Sequence, residues 1–167
     1  MSALALPLVG LTFCTWAVYL GGLASLQDDC STEQVESLDS VWGLSALPCS
    51  KVFRFHWFIM SWEVVVVAML AVAAVTGKLA SMRTSFVGLF AISTLLYIEA
   101  SNTFLTAQSA TVTGQYFQEG QPEHRLRTIT AGAIMTALMN AIIVTVIGMN
   151  EEAAAPAKAE DVKAAAV

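Results

Sequence analysis

The sequence predicts an all-α membrane protein, a four-transmembrane-helix bundle with a disulfide-closed first outer loop, and three observations predict it. The 167 residues are 56% hydrophobic and only 13% charged, whereas soluble domains carry roughly 25% charge. Four stretches are almost free of charge and long enough to cross ~30 Å of hydrocarbon as helices. Two of the 3 cysteines, Cys30 and Cys49, share the polar segment between the first two stretches. The net charge of −5 offers no broad basic surface, which excludes nucleic acid as a partner.

Span one is expected at 3–26, a run without Asp, Glu, Lys, Arg or His. It is longer than the 7–15-residue apolar core of a signal peptide, and no Lys or Arg precedes it, so it reads as a span. Gly10, Cys14, Ala17 and Gly21 recur along it at helical spacing. This small-xxx-small stripe is the pattern by which a neighbouring helix backbone approaches closely.

The first outer loop, 27–54, carries Asp28, Asp29, Glu33, Glu36 and Asp39 against Lys51. It lacks the spaced Asp/Asn and Gly of a calcium loop, so it reads as a solvated acidic face for a partner or for solubility. Span two, 55–76, opens in the aromatic cluster Phe53, Phe55, Trp57, Phe58 and Trp62, as a helix does where it passes the headgroup belt. It ends at Gly77 and Lys78, and the short link to Arg83 makes span three, 84–107, its antiparallel neighbour. A second outer loop, 108–127, holds Gly114, Gly120 and Pro122 ahead of span four, 128–149. The Ala-rich tail, 150–167, is interspersed with Glu151, Glu152, Lys158, Glu160, Asp161 and Lys163 and has no apolar stripe on which to fold, so it is expected to be a disordered cytosolic tail.

Lys78, Arg83, Lys158 and Lys163 fall on one side of the membrane, and Lys51, Arg54, Arg125 and Arg127 on the other. The positive-inside rule therefore gives no orientation. A Cys30–Cys49 bond gives one, because it needs an oxidising compartment: the loop lies outside or in a lumen, the termini in the cytosol, and the membrane is the plasma membrane or another of the secretory pathway. The bond would close about 20 residues and contribute roughly 3 kcal/mol. The other reading of the pair is two free thiols.

No Gly-rich phosphate loop, nucleophile elbow, paired zinc cysteines or HExxH occurs, and His56 and His124 are the 2 histidines. The expectation is a non-enzyme without cofactor or metal. What can carry chemistry are polar groups within the spans, which are costly in lipid and so face a bundle interior or a cavity. Glu63 and Glu99 are each ~12 Å below the same interface at ~1.5 Å per residue. Glu99, Asn102, Thr103 and Thr106 form one stripe of span three; His56, Met60 and Glu63 share a face of span two, and Gly132, Thr136 and Asn140 a face of span four. These faces are expected to converge as an intramembrane polar cluster of Glu63, Glu99, Asn102, Thr103, Thr106 and Asn140. Such a cluster either joins helices by hydrogen bonds at ~0.6 kcal/mol per contact or forms a proton- or cation-exchange site at Glu63 and Glu99. Glu99 and Asn102 also match the E-x-x-N of light-harvesting helices, but Phe104 stands where that pattern has Arg.

Four spans, cytosolic termini, a long first outer loop with two cysteines and the run Trp42-Gly43-Leu44 together resemble the tetraspan families that include claudins and MARVEL-domain proteins. The resemblance is architectural and covers about 3–149. It implies non-catalytic work: membrane organisation, apposition or trafficking, as a scaffold or accessory subunit that packs against another integral membrane protein or in a homo-oligomer, in contact with membrane lipid. The alternative is a small proton- or cation-conducting or transporting protein that uses Glu63 and Glu99.

Overall fold

The computed structural model describes residues 2–28, 51, 53–112 and 121–149. Four long helices account for nearly all of them: α1 (Ser2–Asp28), α2 (Arg54–Val75), α3 (Arg83–Val112) and α4 (Gln121–Met149). All four are long and apolar enough to cross a membrane, and the chain is a multi-pass integral membrane protein. The third and fourth helices reach further than their apolar runs, with α3 continuing to Val112 and α4 beginning at Gln121. Pro122 does not prevent this start, because the missing N–H of a proline at a helix N-terminus has no intrahelical partner to lose. Cys30, Cys49 and the tail 150–167 lie outside the described residues, and with them the expected disulfide. Cys14 is a free, exposed thiol.

The helices run alternately up and down, and each packs on its neighbours in sequence, with α4 closing the ring against α1. Between α2 and α3 the chain reverses through Gly77, whose φ of 70° lies in the left-handed region that glycine enters without steric cost. A single 3-10 turn, Lys78–Ala80, follows. The end of the bundle carrying this link is called here the hairpin side; the end where α1 stops and α2 starts is the loop side.

Along each helix the inward residues alternate three- and four-residue steps: Phe86, Phe90, Ser93, Tyr97, Ala100, Phe104 and Ala107 on α3, and Leu126, Ile129, Ala133, Thr136, Asn140, Ile143 and Ile147 on α4. This period keeps one seam facing the partner helices along their whole length. Two glycines set the closest approach. A Cβ on Gly132 would stand 2.6 Å from the Tyr19 nitrogen, and one on Gly22 would stand 2.8 Å from the Ile129 Cα, so α1 and α4 meet backbone to backbone. The buried apolar side chains form two clusters. The loop-side cluster centres on Tyr19, Leu23, Ile59, Phe104 and Ile129; the hairpin-side cluster centres on Val66, Leu70, Phe86, Phe90 and Ile143.

Candidate functional site

Between the two apolar clusters every helix contributes one fully buried polar side chain: Thr12 from α1, Glu63 from α2, Ser93 from α3 and Asn140 from α4, each 0% exposed. Sequence order places them at the boundary on all four helices. Thr12 separates Leu8 and Val9 from Trp16 and Tyr19, Glu63 separates Met60 from Val66, Ser93 separates Phe90 from Tyr97, and Asn140 separates Ala137 from Ile143. Ser93 is about ten residues from the start of α3, so the layer lies ~15 Å from the hairpin side at ~1.5 Å per residue, near mid-membrane.

Within the layer Asn140 Nδ2 donates to Glu63 Oε2 at 3.2 Å, tying α2 to α4. Trp62 Nε1 donates to Ser93 Oγ at 3.1 Å, tying α2 to α3. Thr12 returns its hydroxyl to the Leu8 carbonyl at 2.9 Å, inside its own helix. Among the described residues three buried oxygen atoms have no hydrogen-bond partner within 3.5 Å, Glu63 Oε1, Asn140 Oδ1 and the Tyr97 hydroxyl, with the Ser93 hydroxyl beside the Glu63 carboxyl. A buried polar atom left unmatched costs about 1–3 kcal/mol, so such groups in a native core call for a ligand, a water or a strained role.

The other buried polar residues among those described are His56, Ser101, Thr130 and Thr136, all toward the loop side. The Tyr19 hydroxyl and His56 Nδ1 are 3.1 Å apart, the Tyr19 and Tyr97 rings meet edge to face at 5.2 Å, and the His56 ring lies 4.5 Å from Phe104. At the loop-side rim Trp57 Nε1 donates to Gln27 Oε1, and Arg125 donates to the Ser25 carbonyl at 2.9 Å. On the hairpin side of the layer the buried described side chains are apolar.

Two of the three polar faces expected to converge do so. His56, Met60 and Glu63 point inward from α2 and Gly132, Thr136 and Asn140 inward from α4, the two faces joined at Glu63 and Asn140, while Gly132 lies against Tyr19 of α1. The third does not. Glu99, Asn102 and Thr106 are exposed, Thr103 is half-buried, and the hydroxyls of Thr103 and Thr106 turn back to the carbonyls of Glu99 and Asn102. The physical reason is the aromatic seam of α3: burying Phe86, Phe90, Tyr97 and Phe104 together turns Glu99 away from the bundle. Glu63 and Glu99 are therefore not assembled into one site within the chain. The small-residue stripe is likewise displaced. Gly10, Cys14, Ala17 and Gly21 are all exposed, and Gly22, one position on, makes the close contact with α4. Thr12, Ser93 and Tyr97 are the site residues that the sequence reading missed; the spacing of aromatic residues along α3 was the signal that could have found the latter two.

Glu99 and Asn102 stand with Thr103 and Thr106 on a surface whose exposed large side chains are Ile92, Leu95, Ile98 and Leu105. Beside them α3 and α4 frame an open groove of about 390 Å³, lined by Ile98, Ser101, Asn102, Leu105, Ile134 and Ala137 among others. No protein-family model, curated protein or solved structure matches the chain, so its function is read from its own geometry.

Proposed function

We propose that the chain works by lateral contact in the membrane, as a non-catalytic scaffold or accessory subunit, and that the outward face of α3 with its groove against α4 is the contact surface. The observation that carries this reading is the position of Glu99 and Asn102. A carboxyl and an amide on the outside of a span, among Leu and Ile, lie ~9 and ~14 Å beyond the buried layer toward the loop side, so Glu99 does not share the depth of Glu63; there they face the outer part of the hydrocarbon unless another protein covers them, at a cost below the ~3 kcal/mol of a charge at the centre of a span. Among the described residues no side chain hydrogen-bonds either group, and the α4 side chains Ile134 and Leu138 across the groove from Asn102 are apolar, so the partner this reading calls for is a transmembrane helix that brings hydrogen-bonding groups to that depth. Lipid tails fill a groove but cannot satisfy an amide. The exposed Gly10, Cys14, Ala17 and Gly21 on α1 give a second smooth strip against which a helix can lie. In this reading the termini are cytosolic, the first loop lies outside or in a lumen of the secretory pathway, and the architectural resemblance to claudins and MARVEL-domain proteins fits the same kind of work.

The test is purification from native membranes into nanodiscs, with the mass and composition of the complex measured for wild type and for the double variant Glu99→Leu/Asn102→Leu. Wild type should carry a second membrane protein, or a second copy of itself, and the variant should be a folded monomer, since its face is now matched to lipid. A wild-type chain recovered as a lone monomer overturns the reading.

A further inference from the structure

We propose that the buried layer is a binding site for one small hard monovalent cation, with sodium as the probe ion, held by Glu63, Asn140 and Tyr97. The inference is independent of the contact reading, because Glu63 faces into the bundle and Glu99 away from it.

Three observations lead to it. The first is the set of unpartnered atoms. Glu63 Oε1, Asn140 Oδ1 and the Tyr97 hydroxyl are oxygen donors on fully buried side chains of three different helices. Tyr97 lies on the same inward seam of α3 as Ser93, one turn toward the loop side, and Glu63 and Asn140 are already joined through their other atoms. An all-oxygen set of one carboxylate, one amide carbonyl and one hydroxyl suits hard cations and not the softer transition metals.

The second is charge. Glu63 is the single carboxyl among the buried described residues, and no Lys or Arg is buried with it. One positive charge neutralises it at mid-membrane. A divalent ion would leave a net positive charge there, which low dielectric makes costly. The valence of the ligand therefore follows from the number of carboxylates.

The third is support and access. Asn140 Nδ2 holds Glu63 Oε2 at 3.2 Å, and the Trp62–Ser93 bond of 3.1 Å braces the helix pair beside it. Partners of this kind orient ligands before an ion arrives. From the layer, buried polar groups continue toward the loop side through Tyr97, Tyr19 and His56, while Val66, Leu70, Phe86, Phe90 and Ile143 close the hairpin side.

The full chain, purified in a mild detergent, is melted in lithium, sodium, potassium and N-methylglucamine chloride at equal ionic strength. Ligand binding to the folded state alone raises the melting temperature with the logarithm of ligand concentration once the dissociation constant is passed, by about 3 °C or more at tenfold excess. Sodium should do so, the effect should depend on ion size, and Glu63→Gln should abolish it while melting like wild type in N-methylglucamine. Equal melting temperatures in all four salts, or a sodium effect that survives Glu63→Gln, overturn the proposal. Should Glu63→Gln fail to fold, Tyr97→Phe carries the test: it removes one ligand without changing the ring, and the sodium concentration at which the melting temperature begins to rise, at constant ionic strength, should increase at least tenfold. An unchanged onset overturns the proposal as well.

Discussion

The backbone nitrogen of Tyr19 lies 2.6 Å from where a β-carbon would stand on Gly132, so at this crossing α1 and α4 leave no room for any side chain. Gly132→Ala must push the two helices apart along a contact that also includes Gly22 and Ile129, and because the obstacle is backbone it cannot rotate away. The expected loss is about 1–3 kcal/mol or more, read by denaturant unfolding in detergent. Gly10→Leu and Gly21→Leu, which enter open space, should stay within about 0.5 kcal/mol of wild type. If the outward face of α1 is a contact with a partner, these two variants lose the partner and keep the fold.

Removing one side of the Glu63–Asn140 bond should cost more than the bond itself contributes. Asn140→Ala strands Glu63 Oε2 in the core, an expected loss of about 1–3 kcal/mol. A double-mutant cycle with Glu63→Ala and Asn140→Ala should return a coupling of about 0.6 kcal/mol and no more than ~1.7, the range found between membrane helices. A coupling of zero would mean that the two side chains do not meet.

Two tyrosines whose rings touch should respond differently to loss of their hydroxyls. Tyr19→Phe takes away the partner of His56 Nδ1 and should destabilise by about 1 kcal/mol. Tyr97→Phe removes a hydroxyl with no partner in the bundle and should be neutral or stabilising in N-methylglucamine salt, because a buried unmatched polar group is a liability. Thermal melts of the two variants side by side give the comparison.

Orientation is testable through the cysteines. A thiol reagent that cannot cross membranes should label Cys30 and Cys49 in intact cells only after mild reduction, as expected for a bonded pair facing outside. Labelling without reduction means free thiols; labelling only after permeabilisation places the loop on the cytosolic side or in a lumen.

The number of helices, their order and their approximate limits were legible in the amino-acid sequence because transfer of apolar residues into a membrane is decided segment by segment, from composition and length. The inward placement of Glu63, Asn140 and Thr136 followed from the cost of polar groups in hydrocarbon. That same rule failed for Glu99, and the failure is informative. A membrane helix gains nothing by hiding leucine from lipid, so its apolar residues do not say which face is inward, and polar residues alone mislead when a face is reserved for something outside the chain. Only packing decided the question. Phe86, Phe90, Tyr97 and Phe104 fill the seam of α3, which turns Glu99 outward. The approach of Gly22 and Gly132 fixes the rotation of α1 and α4, which sends the Gly10–Gly21 stripe outward and brings Thr12 inward. The polar layer itself, one residue from each of four helices at one depth, is a property of four rotations taken together, and no single span contains it.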